Sequence, residues 1–588
     1  MKKQWEILQP EPRVQQTIRR LTGCSPTIAA LLANRKVDQP DRIRQFWSPS
    51  FQDLRPPFSI RDMDKAVALI VQTIESKNKI MVFGDYDVDG VTATVILYEF
   101  LRSTGADVCY YIPHRLTEGY GLRSSHITGK AELENIRLII TVDCGSADHD
   151  AVNAANEAGI QIVVTDHHQI TTDIPAAEAV INPKREDCGA GLAHLAGVGV
   201  AFYLIIALRK QLRDRQHWKT VPEPNLKALC DLVCLGTIAD MVPLIDENRI
   251  FSKIGLEIIT GNSRPGLKAL MEVCRIGAPA VDSEDVAYRL APRLNAAGRM
   301  GHADLAAKLL ITTDPDEARE LTRRLCSLND IRQATEQEIM KAVHSYLQDN
   351  PNLLKKHSIV LHHHGWHAGV LGIVAAKLVE KYGRPAMLIS TAGGIGKGSG
   401  RSIPGFDIHA ALKSCEAHLL AFGGHQMAAG LTIRPESIEA FQEQFDQQAA
   451  LGTGPGGLPP KMWIDCVLDF HLITDNLLDE LTALEPFGVQ NPEPLFLARN
   501  IRIQSVAEVG GSHKRLRLAQ NNGRHQQLHD AILFNAGNRD CSAEKSHEVA
   551  YRLRWNHWNG KKKAQMIIED MRPMEPVGQA SLPAPPMQ

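Results

Sequence analysis

The chain has 588 residues, 44% hydrophobic and 22% charged, with 65 Lys+Arg against 67 Asp+Glu. At roughly 150 residues per domain the length suggests about four domains, and this composition excludes a wholly disordered chain. A formal charge of −2 excludes global basicity as the basis of polyanion binding, leaving that task to local patches.

Residues 1–58 read as an irregular N-terminal segment, with Pro10, Pro12, Pro40, Pro49, Pro56 and Pro57 punctuating short helical stretches. MKKQWEILQPEPR has no apolar signal core, and the longest apolar run, Leu195 to Leu208, is too short and Gly-rich to span a bilayer. A soluble, cytoplasmic chain without membrane association is expected. The 11 cysteines are scattered with no CxxC pair, which fits free thiols in a reducing compartment. Cys230 and Cys234, four apart on one helix face, are expected in a core rather than at a zinc site.

From Lys79 strands and helices alternate. KIMVFG reads as a buried strand, VTATVILYEFLRS as a helix, and DVCYYIP, RLIITVD, IQIVVTD and AEAVIN as further strands. This pattern predicts an α/β domain over 59–302, a doubly wound and mostly parallel sheet with a helical extension. Residues 303–347 are predicted to form a connecting helix, with Leu321, Leu325, Leu328 and Ile331 as an apolar stripe. A second α/β domain is expected over 348–451, then a Gly/Pro-rich linker at 452–460. Residues 461–575 alternate like a small β-barrel, and 576–588 read as a disordered tail.

The informative feature is where acids and histidines fall. Asp85, Asp87 and Asp89 directly follow the first strand, Asp143 ends TVD, and Asp166, His167 and His168 end VVTDHH. Parallel strands present their C-termini along one edge, so these residues converge in one crevice. Asp240 lies in the apolar setting LGTIADMVPL, where a lone carboxylate is costly to bury. Like charges so gathered need cations, and carboxylates mixed with imidazole suit Mn²⁺ or Mg²⁺. Two ions sharing a bridging carboxylate would activate a water and offset charge on a phosphoryl group. A single such Asp is more often a turn-former or helix cap, but three motifs on successive strand ends argue against that.

Two other motif readings fail. Asp85, Asp87, Asp89 and Gly90 open like an EF-hand loop, but Ile96 stands where the twelfth-position Glu belongs and a strand precedes. GGIGKGSGRS at 393–402 lacks the first glycine and the Ser/Thr after lysine of a P-loop. Its glycines still permit close approach to an anion, with Ser399 and Arg401 as donors, in preference to a plain turn.

GDYDVDG, TVDCGS, TDHH and LGTIADMVP, in this order, resemble the motifs of the DHH phosphoesterase superfamily. With PHRLTEGYGL, HLAGVGVAFYL, APRLNAAGRM, WHAGVLGIVAAKL, GKGSGRS and FGGHQMAAG, the chain resembles the RecJ family of bacterial exonucleases from about residue 60 to about 570. The resemblance implies a DHH catalytic domain, a DHHA1 domain at 348–451 and an OB-fold at 461–575. It implies that Asp87, Asp89, Asp143, His167 and Asp240 hold two Mn²⁺ or Mg²⁺ ions, with Asp143 bridging. Asp85 stands where several relatives carry histidine, as a ligand or in support. His168 would back the ligands or the developing charge, with Asp143 and Asp240 also catalytic. Cys144 replaces the asparagine usual after TVD. Arg115, Arg299, Ser399, Arg401 and His425 match positions suited to grasping DNA phosphates. On the barrel, Arg552 and Arg554 lie on the face opposite Tyr551, Leu553 and Trp555, and single-stranded nucleic acid suits such a basic face.

The implied function is single-strand-specific 5′→3′ DNA exonuclease, releasing mononucleotides in recombination and repair. Single-stranded DNA is the implied substrate, with a single-strand binding protein and a helicase as partners and a bacterial, monomeric protein. The alternatives are an oligonucleotide or cyclic-dinucleotide phosphodiesterase of the same superfamily, or an inactive single-strand-binding scaffold. A second binding domain argues for a polymer substrate, and the filled ligand positions argue against a scaffold.

Overall fold

The computed structural model describes residues 3–574 apart from 171–172, 262–263, 278–279, 454–460, 523–524, 538–540, 542–545 and 559–560. The expected linker, from 454 onward, and the expected tail at 576–588 lie outside the described residues. The chain divides into two compact units: residues 54–243 with 250–458, and residues 1–53 with 244–249 and 459–588. Among the described residues, no helix is long and apolar enough to cross a membrane.

In the first unit, β1 (Ile80–Gly84), β2 (Val108–Tyr111), β3 (Leu138–Val142), β4 (Gln161–Thr165) and β5 (Ala179–Ile181) form a wholly parallel sheet in the order β2-β1-β3-β4-β5. Every residue of β1 and β3 is buried, as expected of strands covered on both faces. Met81, Phe83, Ile139, Ile162 and Val164 pack with Ala151, Val152 and Ala155 on one side. On the other side Gly84 lies against Thr94 of α1 (Val88–Ser103). The helix carrying the alanines is α2 (His149–Glu157), and α3 (Gly197–Asp214) and α4 (Cys230–Ala239) pack on α1. Cys230 and Cys234 are buried free thiols of α4. The strand order reverses at β1 and β3, so a crevice opens beyond their C-termini.

The connecting helix is α5 (Pro315–Asp349), preceded by a separate short helix Asp304–Ile311. Leu321 and Leu325 are buried, but Ile331 is exposed and Asn329 takes the buried place. Over ten residues the 3.6-residue period turns the stripe away from Ile331, and burial resumes at Glu336, Ile339 and Val343. Beyond it a mixed five-stranded sheet pairs Ile359–His363 parallel with Ala386–Ser390, and then adds Gly396–Arg401, Ala428–Ile433 and Leu419–His425 antiparallel. GKGSGR is therefore a strand rather than a turn. Its glycines let Leu431 and Ile389 pack directly over the backbone at Gly398.

In the second unit, strands Phe496–Val509, His513–Asn522, His525–Leu533, Lys561–Pro573 and His547–Trp558 close in that order into a five-stranded barrel, the last pairing with the first. Residues 1–53 share its core: Ile28, Leu31 and Ile43 pack with Leu478, Phe496, Ile501 and Tyr551. Prolines of this segment start its helices, Pro12–Thr22, Pro26–Asn34 and Pro40–Trp47, because a first-turn N–H needs no partner. A strand not anticipated from sequence, Gln4–Ile7, pairs parallel with Lys461–Ile464. Arg249 is 1% exposed and donates to the carbonyls of Phe46 at 3.0 Å and Leu484 at 3.0 Å, its guanidinium 3.8 Å from the Phe46 ring centroid.

Arg249→Met preserves bulk but strands these carbonyls, and each unsatisfied buried group costs about 1–3 kcal/mol. Urea unfolding followed by fluorescence should show a loss of about 2–4 kcal/mol. An unchanged midpoint would mean that other donors replace the guanidinium.

Candidate metal centre

The expected acids meet at the crevice beyond β1 and β3. Asp87 caps α1, its carboxylate accepting from Gly90 N at 3.1 Å, and Val88 N donates to Asn295 at 3.2 Å. Asp89, inside the first turn, is held by the N-terminus of α3: Gly197 N donates to Oδ2 at 2.6 Å and Val198 N to Oδ1 at 2.9 Å. These amides fix the carboxylate and add favourable helix-terminal charge. Asp143 follows β3, and Asp240 ends α4. Three sets of close ligand atoms result: Asp85, Asp87 and Asp143; Asp89, His167 and Asp240; and Asp143, His167 and His168. Asp143 and His167 each belong to two.

Proton accounting shows what the site lacks. His167 Nδ1 faces the Leu195 carbonyl at 3.0 Å; a carbonyl only accepts, so Nδ1 carries the proton and Nε2 a lone pair. That lone pair lies 3.2 Å from Asp143 Oδ1, 3.6 Å from Asp240 Oδ2 and 3.8 Å from Asp89 Oδ2. His167 Nε2, Asp143 Oδ1 and Asp85 Oδ1 are buried without a hydrogen-bond partner. Carboxylate oxygens converging on a ring nitrogen that offers them no proton fit a divalent cation, and an imidazole oriented by a backbone carbonyl is the usual arrangement of a histidine ligand.

Burial and mutual repulsion hold Asp85, Asp143 and Asp240 well above the ordinary carboxylate range and Asp89 at about 7. Burial, reinforced by the His168 charge, lowers His167 to about 3. His168 behaves oppositely. Burial opposes its charge, but the hydrogen bond from Nδ1 to Asp166 Oδ1 at 2.8 Å and the Asp166 charge outweigh it and push His168 up to about 9. The crevice thus holds one neutral imidazole and one cationic imidazole side by side, with ring centroids 4.6 Å apart.

The cationic residues line the other side. Arg115 lies over the Tyr86 ring at 4.7 Å, and Arg299 Nη1 donates to Gly369 O at 3.1 Å. A Cβ at Gly372, in the first turn of α6 (Leu371–Tyr382), would sit 2.8 Å from Ser399 Oγ and 3.1 Å from Arg401 Nη2. Burial and the neighbouring Arg115 and Arg401 charges lower Arg299 to about 9, and burial and Arg115 lower Arg401. His425 stacks on His168 at 5.8 Å with 12° between planes. Arg552 and Arg554 belong to the barrel unit. There Arg552 is engaged by Glu569 at 2.8 Å and Glu493 at 3.4 Å.

Sequence reasoning placed Asp166 in the crevice without a role of its own and passed over Tyr120 and Lys184. Asp166 holds His168, Tyr120 bonds to Asp143 and His168, and Lys184 stands near Asp240, Asp166 and Asp143, its ammonium lowered by burial against their pull. The Gly197 and Val198 amides also went unnoticed; an apolar Gly-x-Gly opening a helix is the signal for such an anion-holding N-terminus.

These shifts set a pH dependence. A carboxylate whose folded pKa exceeds its unfolded one binds more protons when folded, so its contribution to stability declines as pH rises. For Asp89 the window runs from its ordinary 3.8 to about 7. His167, lowered to about 3, works the other way up to its ordinary 6.5, and His168, raised to about 9, adds to the loss above it, so in EDTA the thermal midpoint should fall between about pH 6.5 and about pH 8. Mn²⁺ at about 100 times its dissociation constant should restore about 2.7 kcal/mol at the upper end. A midpoint at about pH 8 indifferent to Mn²⁺ would show that the cluster does not take the ion.

Residues 79–237 match the DHH family N-terminal domain, 351–451 the DHHA1 domain and 464–570 the RecJ OB domain. The single-stranded-DNA-specific exonuclease RecJ of Bacillus subtilis (strain 168) is 35% identical over 573 residues, covering 97% of this chain and 71% of that protein. The Escherichia coli (strain K12) protein of the same name is 35% identical over 589 residues, covering 98% of this chain and 100% of the relative. The crystal structure of RecJ in complex with Mn²⁺ from Thermus thermophilus matches with a TM-score of 0.82 at 30% identity, over 97% of this chain and 80% of that one. The order of domains, the near full-length identity and the shared architecture agree: the chain belongs to the RecJ family.

Proposed function

We propose that this chain is a single-stranded-DNA-specific exonuclease of recombination and repair, degrading DNA 5′→3′ to mononucleotides. The observation that carries this reading is the convergence of carboxylates around His167 Nε2, 3.2 Å from Asp143 Oδ1, beside a group of half-buried arginines. Asp85, Asp87 and Asp143 would hold one Mn²⁺ or Mg²⁺ ion, and Asp89, His167 and Asp240, with Asp143 beside them, the other. Such a pair of ions supplies an activated water and offsets charge on the phosphoryl group.

The protein's own side chains do the rest. His168, cationic through Asp166, offers its other ring N–H to a phosphoryl oxygen as charge develops there. Arg115, Arg299, Ser399 and Arg401 grip backbone phosphates, where planar guanidinium forks suit paired oxygens. His425 narrows the crevice by stacking on His168, and Lys397 reaches across to the Leu116 carbonyl at 3.1 Å. A crevice closed in this way suits one strand and rejects a duplex. On the barrel, Arg554 and the basic strand face hold single-stranded DNA, with Arg552 acting from within its ion pairs. A single-strand binding protein and a helicase are partners in this reading, and the protein works as a monomer in the bacterial cytoplasm.

The test is a time course on single-stranded and duplex DNA labelled at either end, with Mn²⁺, Mg²⁺ or EDTA. Metal-dependent release of a 5′ label as mononucleotide, from single strands alone, is expected. Loss of the 3′ label first would reverse the polarity, and digestion of dinucleotides alone would discard the exonuclease. Asp143→Ala should slow cleavage by at least about 10³-fold, about 4 kcal/mol of barrier, while leaving DNA affinity within about threefold. Near wild-type turnover would sink the two-metal proposal.

A further inference from the structure

We propose that Tyr120 is a positioning residue of the metal centre: its hydroxyl ties the Asp143 main chain to the His168 ring, and so sets how the shared carboxylate meets the ions. The inference rests on the metal reading above, and concerns a residue that itself ligates nothing.

Asp143 has φ of 62°, in the left-handed region that side-chain-bearing residues disfavour. That turn aims its carboxylate at the start of α3, where a Cβ on Gly197 would lie 2.4 Å from Oδ1. Such a conformation persists only where its surroundings hold it. Both main-chain polar groups of Asp143 are held: its N–H donates to the Thr165 carbonyl at 3.0 Å, and its carbonyl accepts from Tyr120 Oη at 3.1 Å.

The same hydroxyl lies 3.0 Å from His168 Nδ1. Tyrosine has one proton, and the Asp143 carbonyl only accepts, so that proton is committed there. Toward His168 the hydroxyl oxygen therefore accepts, sharing the Nδ1 proton with Asp166 Oδ1 at 2.8 Å. One hydroxyl thus orients both the strained aspartate and the His168 imidazole. A ring serving only as packing would have no use for it.

Tyr120 is itself built into place. It stands between Gly119 and Gly121, at φ of 81° and 82°, a bend that residues with side chains resist. Asp148 accepts from Leu122 N at 2.6 Å just beyond the bend, and Glu118 accepts from His114 N at 2.5 Å and Tyr111 Oη at 2.6 Å just before it. The ring meets His168 edge-on at 5.5 Å and Tyr86 at 6.5 Å.

Tyr120→Phe keeps the ring and removes the hydroxyl. Isothermal titration of the DNA-free full chain with Mn²⁺ should show affinity weakened about three- to tenfold, the size expected for one lost hydrogen bond. On single-stranded oligonucleotides kcat should fall about tenfold with KM within about twofold, and the melting temperature in EDTA should fall by no more than about 2 °C. Wild-type Mn²⁺ affinity and turnover in the variant would overturn the proposal. So would a rise in KM alone, which would make the hydroxyl a substrate contact. A wild-type chain that binds Mn²⁺ but degrades no DNA would instead sink the exonuclease reading, and the titration would still judge Tyr120.

Discussion

The structure depends on holding several carboxylates together, buried, without a matching set of cationic side chains among them. Two charges about 4 Å apart interact by about 4 kcal/mol at an effective dielectric of 20, so the repulsion is comparable with a domain's net stability. The fold meets it in three ways: peptide amides at a helix N-terminus on Asp89, an imidazole kept neutral at His167, and an imidazole kept charged at His168. What these leave unbalanced is what a divalent ion balances.

A parallel sheet is suited to this because it gathers residues far apart in sequence without asking the chain to cross itself. Each strand of β1, β3 and β4 delivers its acidic or imidazole residue at the same edge, and buried aliphatic residues on both faces hold the strands rigid beneath. The edge residues need not contribute to the core, so they are free to be chosen for charge. The cost appears locally, in the left-handed backbone of Asp143 and in the buried atoms of Asp85, Asp143 and His167 that lack hydrogen-bond partners.

The cluster of acids and histidines was legible in the sequence because strand ends fall at fixed places in an alternating pattern, so position along the chain translates directly into position in space. Asp85, Asp143 and His167 could be read in this way. Tyr120 could not: it lies in a loop after β2, and only tertiary folding brings its hydroxyl to Asp143 and His168. The N-terminal segment was similarly opaque. Its prolines look like interruptions, yet they open helices whose apolar sides complete the barrel core. On α5 the expected stripe failed at Ile331 because spacing alone does not fix where a long helix turns away from its neighbours.

The two sides of the crevice are unlike in charge and alike in what they lack. Asp85, Asp87, Asp89, Asp143 and Asp240 repel one another until a cation arrives, while the Arg115 charge helps to depress Arg299 and Arg401 until an anion does. Asp87 and Arg299 feel each other across the gap, but no ion pair joins them among the described residues, so the halves do not neutralise directly. A phosphate backbone lying between them would complete both at once, its oxygens meeting guanidinium groups on one side and cations held by the carboxylates on the other. A single small anion relieves only one half. A site so divided favours a substrate with more than one phosphate.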